Sequence, residues 1–245
     1  CAGTRVGYVP SAMWLCRTTA LRSISGFDES LRSGEDVDMV WRLNDAGWRC
    51  RYQPQAECSH LPRTSLHKFL LQRVSYGASA AALAKRHTGK LAPAKFNVWQ
   101  ASTWLLVLLG MPFIALGVAI VASASTAQKL RRFPQLRDES FRISLRGTVQ
   151  SAQSAASAIN RVWWPIAFIL AMFSQRLRIL FIAAALAPAV YEWWIKRPHL
   201  DVVRFTLMKM LDNAAYGAGV WKGVIAQRNA APLIPIVKKS AANAE

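Results

Sequence analysis

The chain has 245 residues, 31 of them Lys or Arg against 13 Asp or Glu, for a formal net charge of +18. That length allows one large domain or two small ones, and a pI near 10.6 would suit a nucleic-acid binder. The basic residues instead flank long apolar runs and accompany no compact nucleic-acid motif, so nucleic acid is set aside in favour of anionic lipid headgroups. Residues 1–60 hold seven basic and seven acidic side chains, so the imbalance lies in the remainder. Cys1, Cys16, Cys50 and Cys58 form no CxxC pair and no zinc spacing with histidine, which argues against a zinc module and fits reduced thiols, although a disulfide stays open. The sequence begins at Cys1 without an initiator Met or a signal-peptide pattern, and is expected to be a piece of a longer protein.

Residues 1–62 read as alternating strand and helix. Residues 8–16 are β-favouring apart from Pro10-Ser11, and 17–24 form a short helix before Gly26. Residues 36–46 form a second helix with Gly47 as its C-cap. Residues 48–52 and 56–60 follow as short strands separated by Pro54. The alternation predicts an α/β sheet, of which sixty residues supply only a part.

The second helix carries the chemistry. The turn Ser25-Gly26-Phe27-Asp28-Glu29 precedes Gly34-Glu35-Asp36-Val37-Asp38-Met39-Val40-Trp41-Arg42-Leu43, so Glu35, Asp36 and Asp38 stand in the first helical turn. Unpartnered amides and the helix dipole favour negative charge there. An ionised carboxylate so placed suits a general base; it equally suits plain stabilisation of a helix end. His60 ends the last strand, some two dozen residues after Asp36.

Residues 64–86 form a long amphipathic helix, with Leu66, Phe69, Leu70 and Val74 at helical spacing. Its Arg73 is a candidate for a diphosphate contact, against the plainer reading of a solvated face. Residues 96–128 contain no charge and no His, and their centre is almost wholly apolar, which is long enough to span a bilayer. Trp99 and Trp104 would sit at an interface belt, and Gly110-Met111-Pro112 would kink the run or fold it back. Lys85, Arg86, Lys90 and Lys95 precede this run, and Lys129, Arg131, Arg132 and Arg137 follow it. The positive-inside rule puts both flanks in the cytoplasm, which a single span forbids and a hairpin bent at Pro112 permits. Two shorter apolar runs, 162–175 and 179–191, need flanking residues to span, and Trp163-Trp164 and Trp193-Trp194 bracket them. Residues 200–211 read as an interfacial or packing helix with Val203, Leu207 and Met210 on one face, ahead of a disordered tail.

The ordered series of the Gly26 turn, the GEDVD segment, Trp41-Arg42-Leu43 and Ala46-Gly47-Trp48 resembles the catalytic segment of family 2 glycosyltransferases, inverting enzymes of the GT-A fold. The resemblance implies an α/β fold class, with residues 1–93 as the C-terminal half of a GT-A domain and its trailing helix. An α-helical membrane-associated region follows: a transmembrane or re-entrant helix (94–128), a basic polar linker (129–160), a hydrophobic helical pair (161–197), and an interfacial helix with its tail (198–245). It implies Asp36 as the base. Glu35 and Asp38 would position acceptor hydroxyls or the helix start, Ser11 and Arg73 would contact substrate, and His60 would help hold a divalent cation, Mg or Mn. The DxD motif that should supply the main cation ligands is absent from these residues, so those ligands are expected elsewhere. Leu70-Leu71-Gln72-Arg73-Val74-Ser75-Tyr76-Gly77 does not match the Gln-x-x-Arg-Trp motif of processive relatives, which argues against a processive synthase.

Tyr8-Val9-Pro10-Ser11-Ala12, Tyr76-Gly77-Ala78-Ser79, Leu91-Ala92-Pro93 and the late series from Leu211 to Trp221 are similar to the mycofactocin-system glycosyltransferases. That implies transfer of a hexose, glucose, from a nucleotide-sugar to a small peptide-derived or glycan acceptor. The enzyme would sit at the cell membrane among its lipids, with the catalytic part facing the cytoplasm, and the present piece alone would be inactive. Two rivals stand beside this: a lipid-linked or polysaccharide-forming transferase of the same superfamily, and a non-catalytic membrane anchor with a degenerate transferase half.

Overall fold

A computed structural model describes residues 7, 13–59, 64–131, 133 and 139–238. The chain divides into two compact units, residues 1–91 with 218–231, and residues 92–217 with 232–245.

The first unit is built from α1 (Thr18–Ser23), α2 (Glu35–Asp45), α3 (Leu66–Arg86) and the last part of α9 (Val202–Gln227). Helix α2 starts at Gly34, whose φ of 81° is left-handed, and its first turn carries Glu35, Asp36 and Asp38 against the positive end of the dipole. It stops at Ala46, with Gly47 (φ 86°) turning the chain away. Its inner face, Met39, Val40 and Leu43, packs with Ala20 of α1 under Trp14, Leu21, Ile24 and Trp48. The described residues of this unit form no sheet. Among the described residues, 48–52 hold only an isolated bridge at Arg51, and 56–59 are irregular; a strand exists only where a neighbour completes its ladder. The expected strand at 8–16 lies mostly outside the described residues, and its end, 14–16, is irregular.

Helix α3 meets the end of α9 through small residues. Gly77, Ala80, Ala81 and Ala84 are buried on α3. Gly219 and Gly223, one turn apart on α9, lie so close that an added Cβ would stand 2.1 Å from the Val74 carbonyl oxygen and 2.3 Å from that of Ala78. Such backbone approach is what small residues at four-residue spacing permit. Asn229 then donates from Nδ2 to the Ala81 carbonyl oxygen at 3.1 Å, fixing the end of the pair. Gly223→Ala is expected to cost about 1–3 kcal/mol by forcing these backbones apart. Gly147→Ala, a helical position with nothing within 4 Å of the new Cβ, should be neutral or stabilise by up to about 1 kcal/mol. Thermal unfolding of the two variants side by side checks this, and equal effects would refute the close approach.

The second unit holds β1 (Lys95–Asn97), α4 (Val98–Leu108), α5 (Pro112–Leu130), α6 (Ser140–Ala158), a π-helical turn (Ile159–Trp163), α7 (Trp164–Phe173), α8 (Gln175–Lys196), the start of α9 and β2 (Ile236–Lys238). β1 and β2 pair in parallel, with Phe96 opposite Val237, and are the one sheet among the described residues. Asn97 and Gln100 form a reciprocal capping box that starts α4. The apolar run 96–128 is a helical hairpin: α4 ends at Leu109, Gly110 takes φ 82°, and Pro112 opens α5 at a position where its missing N–H costs nothing. The Arg176 guanidinium of α8 lies on Gly110, within 2.2 Å of where a Cβ would be.

The polar linker expected at 129–160 is instead largely α6. Its inner stripe packs on α4 and α5: Gln100 donates to the Gly147 carbonyl oxygen (3.3 Å), Trp104 Nε1 to Ser151 Oγ (3.2 Å), and the Ser123 and Thr148 hydroxyls meet at 3.3 Å. The two short apolar runs do borrow their flanks. Three stretches, Pro112–Leu130, Arg146–Phe173 and Gln175–Lys196, are long and apolar enough to cross a membrane. Their apolar side chains, Phe113, Leu116, Phe168 and Phe173 among them, stand largely outside the protein, as lipid-facing groups would. Pro188 within α8 frees the Ala184 carbonyl oxygen, and Asn160 Nδ2 donates to it at 2.6 Å.

Candidate active site

The site lies in the first unit, at the N-terminal turn of α2. Gly34 is held there twice over, by its left-handed φ and by Ser79 and Leu83 of α3, which leave no room for a Cβ. Glu35 and Asp36 follow it, both half-buried. The Val37 N–H donates to Asp36 Oδ1 at 2.8 Å, so the carboxylate is anchored by one oxygen at the helix start.

Asp38 turns the other way. It is 1% exposed and accepts from Arg42 Nε at 2.7 Å, lies 2.8 Å from His87 Nε2, and has Arg86 Nη1 at 3.7 Å. The i, i+4 spacing to Arg42 is helical geometry. Arg42 in turn donates to the carbonyl oxygens of Ile24 and Gly26, which fastens the tight turn at Ser25-Gly26 to α2. That turn is strained enough to need fastening, since Ser25 itself has φ 61°.

The end of α3 completes the frame. Arg86 pairs with Asp28 and reaches Ser30 Oγ at 3.0 Å, while Asp28 accepts from the Ser30 N–H (2.9 Å) and hydroxyl (2.6 Å). The Ser30 hydroxyl, then the Arg86 guanidinium, hold the Asp28 carboxyl well below the usual carboxylate range. His87 stacks edge-on against Trp41 with centroids 5.0 Å apart, and Lys90 pairs with Asp45 at 2.6 Å. These contacts tie the loop 24–30, α2 and the end of α3 into one frame around residues 34–36.

Of the expected site residues, Glu35 and Asp36 come together at the helix start. Asp38 faces inward, and its partners fill both of its oxygens. Arg73 stands on α3 with its guanidinium 5.8 Å from the Tyr76 ring, about 9 Å along the helix axis from Ser79. Ser11 and His60 lie outside the described residues. Sequence reasoning missed Arg42, Arg86 and His87. The i, i+4 spacing could have found the first; the other two come from a separate helix and had no local signal. Among the described residues no three His, Cys, Asp or Glu side chains gather to hold a metal ion, and Asp28 and Asp38 are already committed to cationic partners. The described residues therefore do not fit a divalent-cation site.

No family model matches the sequence, and no solved structure matches it. The sequence is 37% identical, over 244 residues, to proteins named pre-mycofactocin glycosyltransferase from Mycobacterium tuberculosis strains CDC 1551 / Oshkosh and H37Rv. The alignment takes in 95% of this chain and 52% of each relative. The chain therefore spans about half the length of the curated relatives it matches, and along nearly all of its own length it is similar to a pre-mycofactocin glycosyltransferase.

Proposed function

We propose that this chain belongs to a membrane-associated glycosyltransferase that moves a hexose, glucose, from a nucleotide-sugar to a hydroxyl of a small peptide-derived or glycan acceptor in the mycofactocin system. The observation that carries the reading is the half-buried Asp36, presented at a helix start beside a cluster of ion pairs centred on the buried Asp38, in a chain 37% identical to proteins of that name. In the proposed reaction Asp36 takes the proton from the acceptor hydroxyl while that oxygen bonds to the anomeric carbon. The bond from that carbon to the diphosphate breaks on the opposite face, so the nucleoside diphosphate leaves and the configuration inverts. Glu35 lies where it can orient the acceptor. A divalent cation would neutralise the leaving diphosphate; its ligands would come from outside the described residues, and no step above depends on it.

The hairpin of α4 and α5 returns the chain to the side it left, which supports a cytoplasmic placement for both basic flanks. We take the catalytic part to face the cytoplasm as well, at the cell membrane.

The test is transfer by the full-length protein in membrane vesicles, supplied with nucleotide-sugars and the peptide-derived acceptor. A gain of one hexose mass, with inverted anomeric configuration by NMR, is expected. No transfer from any nucleotide-sugar would refute the function, and a retained anomer would refute the single displacement.

A further inference from the structure

Helix α6 carries a second polar stripe that the fold does not use. Gln150, Gln153, Ser154 and Ser157 recur at i, i+3, i+4 and i+7, and so share one face. They line a groove of about 510 Å³ whose other wall is Ala92-Pro93-Ala94-Lys95. The volume falls within the roughly 300–1,000 Å³ usual for small-ligand sites. None of the four side chains is hydrogen-bonded to another protein group among the described residues, whereas the neighbouring stripe of the same helix is fully engaged with α4 and α5. They stand at the polar, N-terminal side of Arg146–Phe173, most of them ahead of its apolar stretch, and Gln150, Gln153 and Ser157 are exposed.

The chemistry of the lining selects the ligand. Amide and hydroxyl groups both donate and accept, the lining has no carboxylate to attract a cation, and Lys95 is its single charge, too little to hold a phosphate tightly. Pro93 and Ala94 add an apolar wall. Alternating hydroxyl edges and C–H faces are what a sugar ring offers. We propose that this groove is a saccharide site, holding hexose units already present on the acceptor. The identification with the acceptor rests on the transferase reading above; the groove itself does not.

The experiment uses detergent-solubilised full-length protein with α-linked and β-linked glucose trisaccharides as probes, followed by saturation-transfer NMR. One trisaccharide is expected to bind, and Gln150→Met/Gln153→Met should weaken it at least about fivefold. Ser154→Trp, which fills the groove without removing the amides, should do the same. Asp36→Asn should leave this binding unchanged. Absence of binding by both trisaccharides, wild-type binding in both groove variants, or preferential occupancy by inorganic phosphate would each overturn the proposal. A wild-type protein that binds the trisaccharide yet transfers no hexose would sink the transferase reading and leave the groove standing. Conversely, transfer with unaltered KM for a glycosylated acceptor in both groove variants would sink the groove alone.

Discussion

Asp36→Asn is expected to lower the turnover of the full-length enzyme by about 10²–10⁴-fold, the contribution of a positioned base. Asparagine keeps the volume of the side chain and an oxygen that can accept from the Val37 N–H, so the helix start survives. What it loses is the ability to accept a proton from the attacking hydroxyl. Affinity for the nucleotide-sugar should therefore stay at the wild-type value, because the donor does not need that proton. Glu35→Gln, on the same turn, should cost far less than Asp36→Asn and fall mainly on KM for the acceptor, as lost positioning would. Steady-state kinetics of the two variants, with donor and acceptor varied separately, make the comparison. Wild-type turnover in Asp36→Asn, or equal losses in both variants, would take the base role away from Asp36.

The parts legible in the sequence were those written in local spacing. Gly34, the acidic turn, the helix to 45 and Gly47 at its end follow from capping and dipole rules, and the structure places them there. The break at Gly110-Met111-Pro112 was also visible, since proline opens a helix readily and cannot continue one; the choice between a kink and a hairpin came from packing between α4 and α5. Packing likewise overrode composition at 140–158, where Ser, Arg, Gln and Gly suggested a linker, yet Gly147, Thr148 and Ser151 form a stripe that fits against Gln100, Trp104 and Ser123. The described residues 48–52 and 56–59 stay irregular apart from the bridge at Arg51 for the opposite reason: alternation gives a strand its faces but not its neighbour. The place of Asp36 at the start of α2 was legible and the frame around it was not. Asp38 looked like one more carboxylate in an acidic turn, and only the return of His87 from 49 residues away makes it a buried anchor.

That anchoring role predicts the largest effect on stability. Asp38→Ala would leave His87, Arg86 and Arg42 facing an empty carboxylate position, with Arg42 still bound to the Ile24 and Gly26 carbonyl oxygens. Removing this buried acceptor costs about 2–4 kcal/mol, less than in a fully buried pair, because the His87 ring nitrogen loses its buried partner while Arg42 and Arg86 keep other partners and some contact with water. Asp45→Ala supplies the contrast. Its pairing with Lys90 is as short, but the carboxylate is 58% exposed, and water replaces the lost partner for no more than about 1 kcal/mol. Asp38→Asn should fall between them, since an amide can still accept from Arg42 while surrendering the charge. The loop 24–30 should loosen in Asp38→Ala, seen as faster amide exchange at residues 24–26 than in Asp45→Ala. Denaturant unfolding that ranks Asp45→Ala equal to Asp38→Ala would show that the turn beside Asp36 is held by something other than this cluster, and would leave Asp36 without the rigid support on which its proposed chemistry depends.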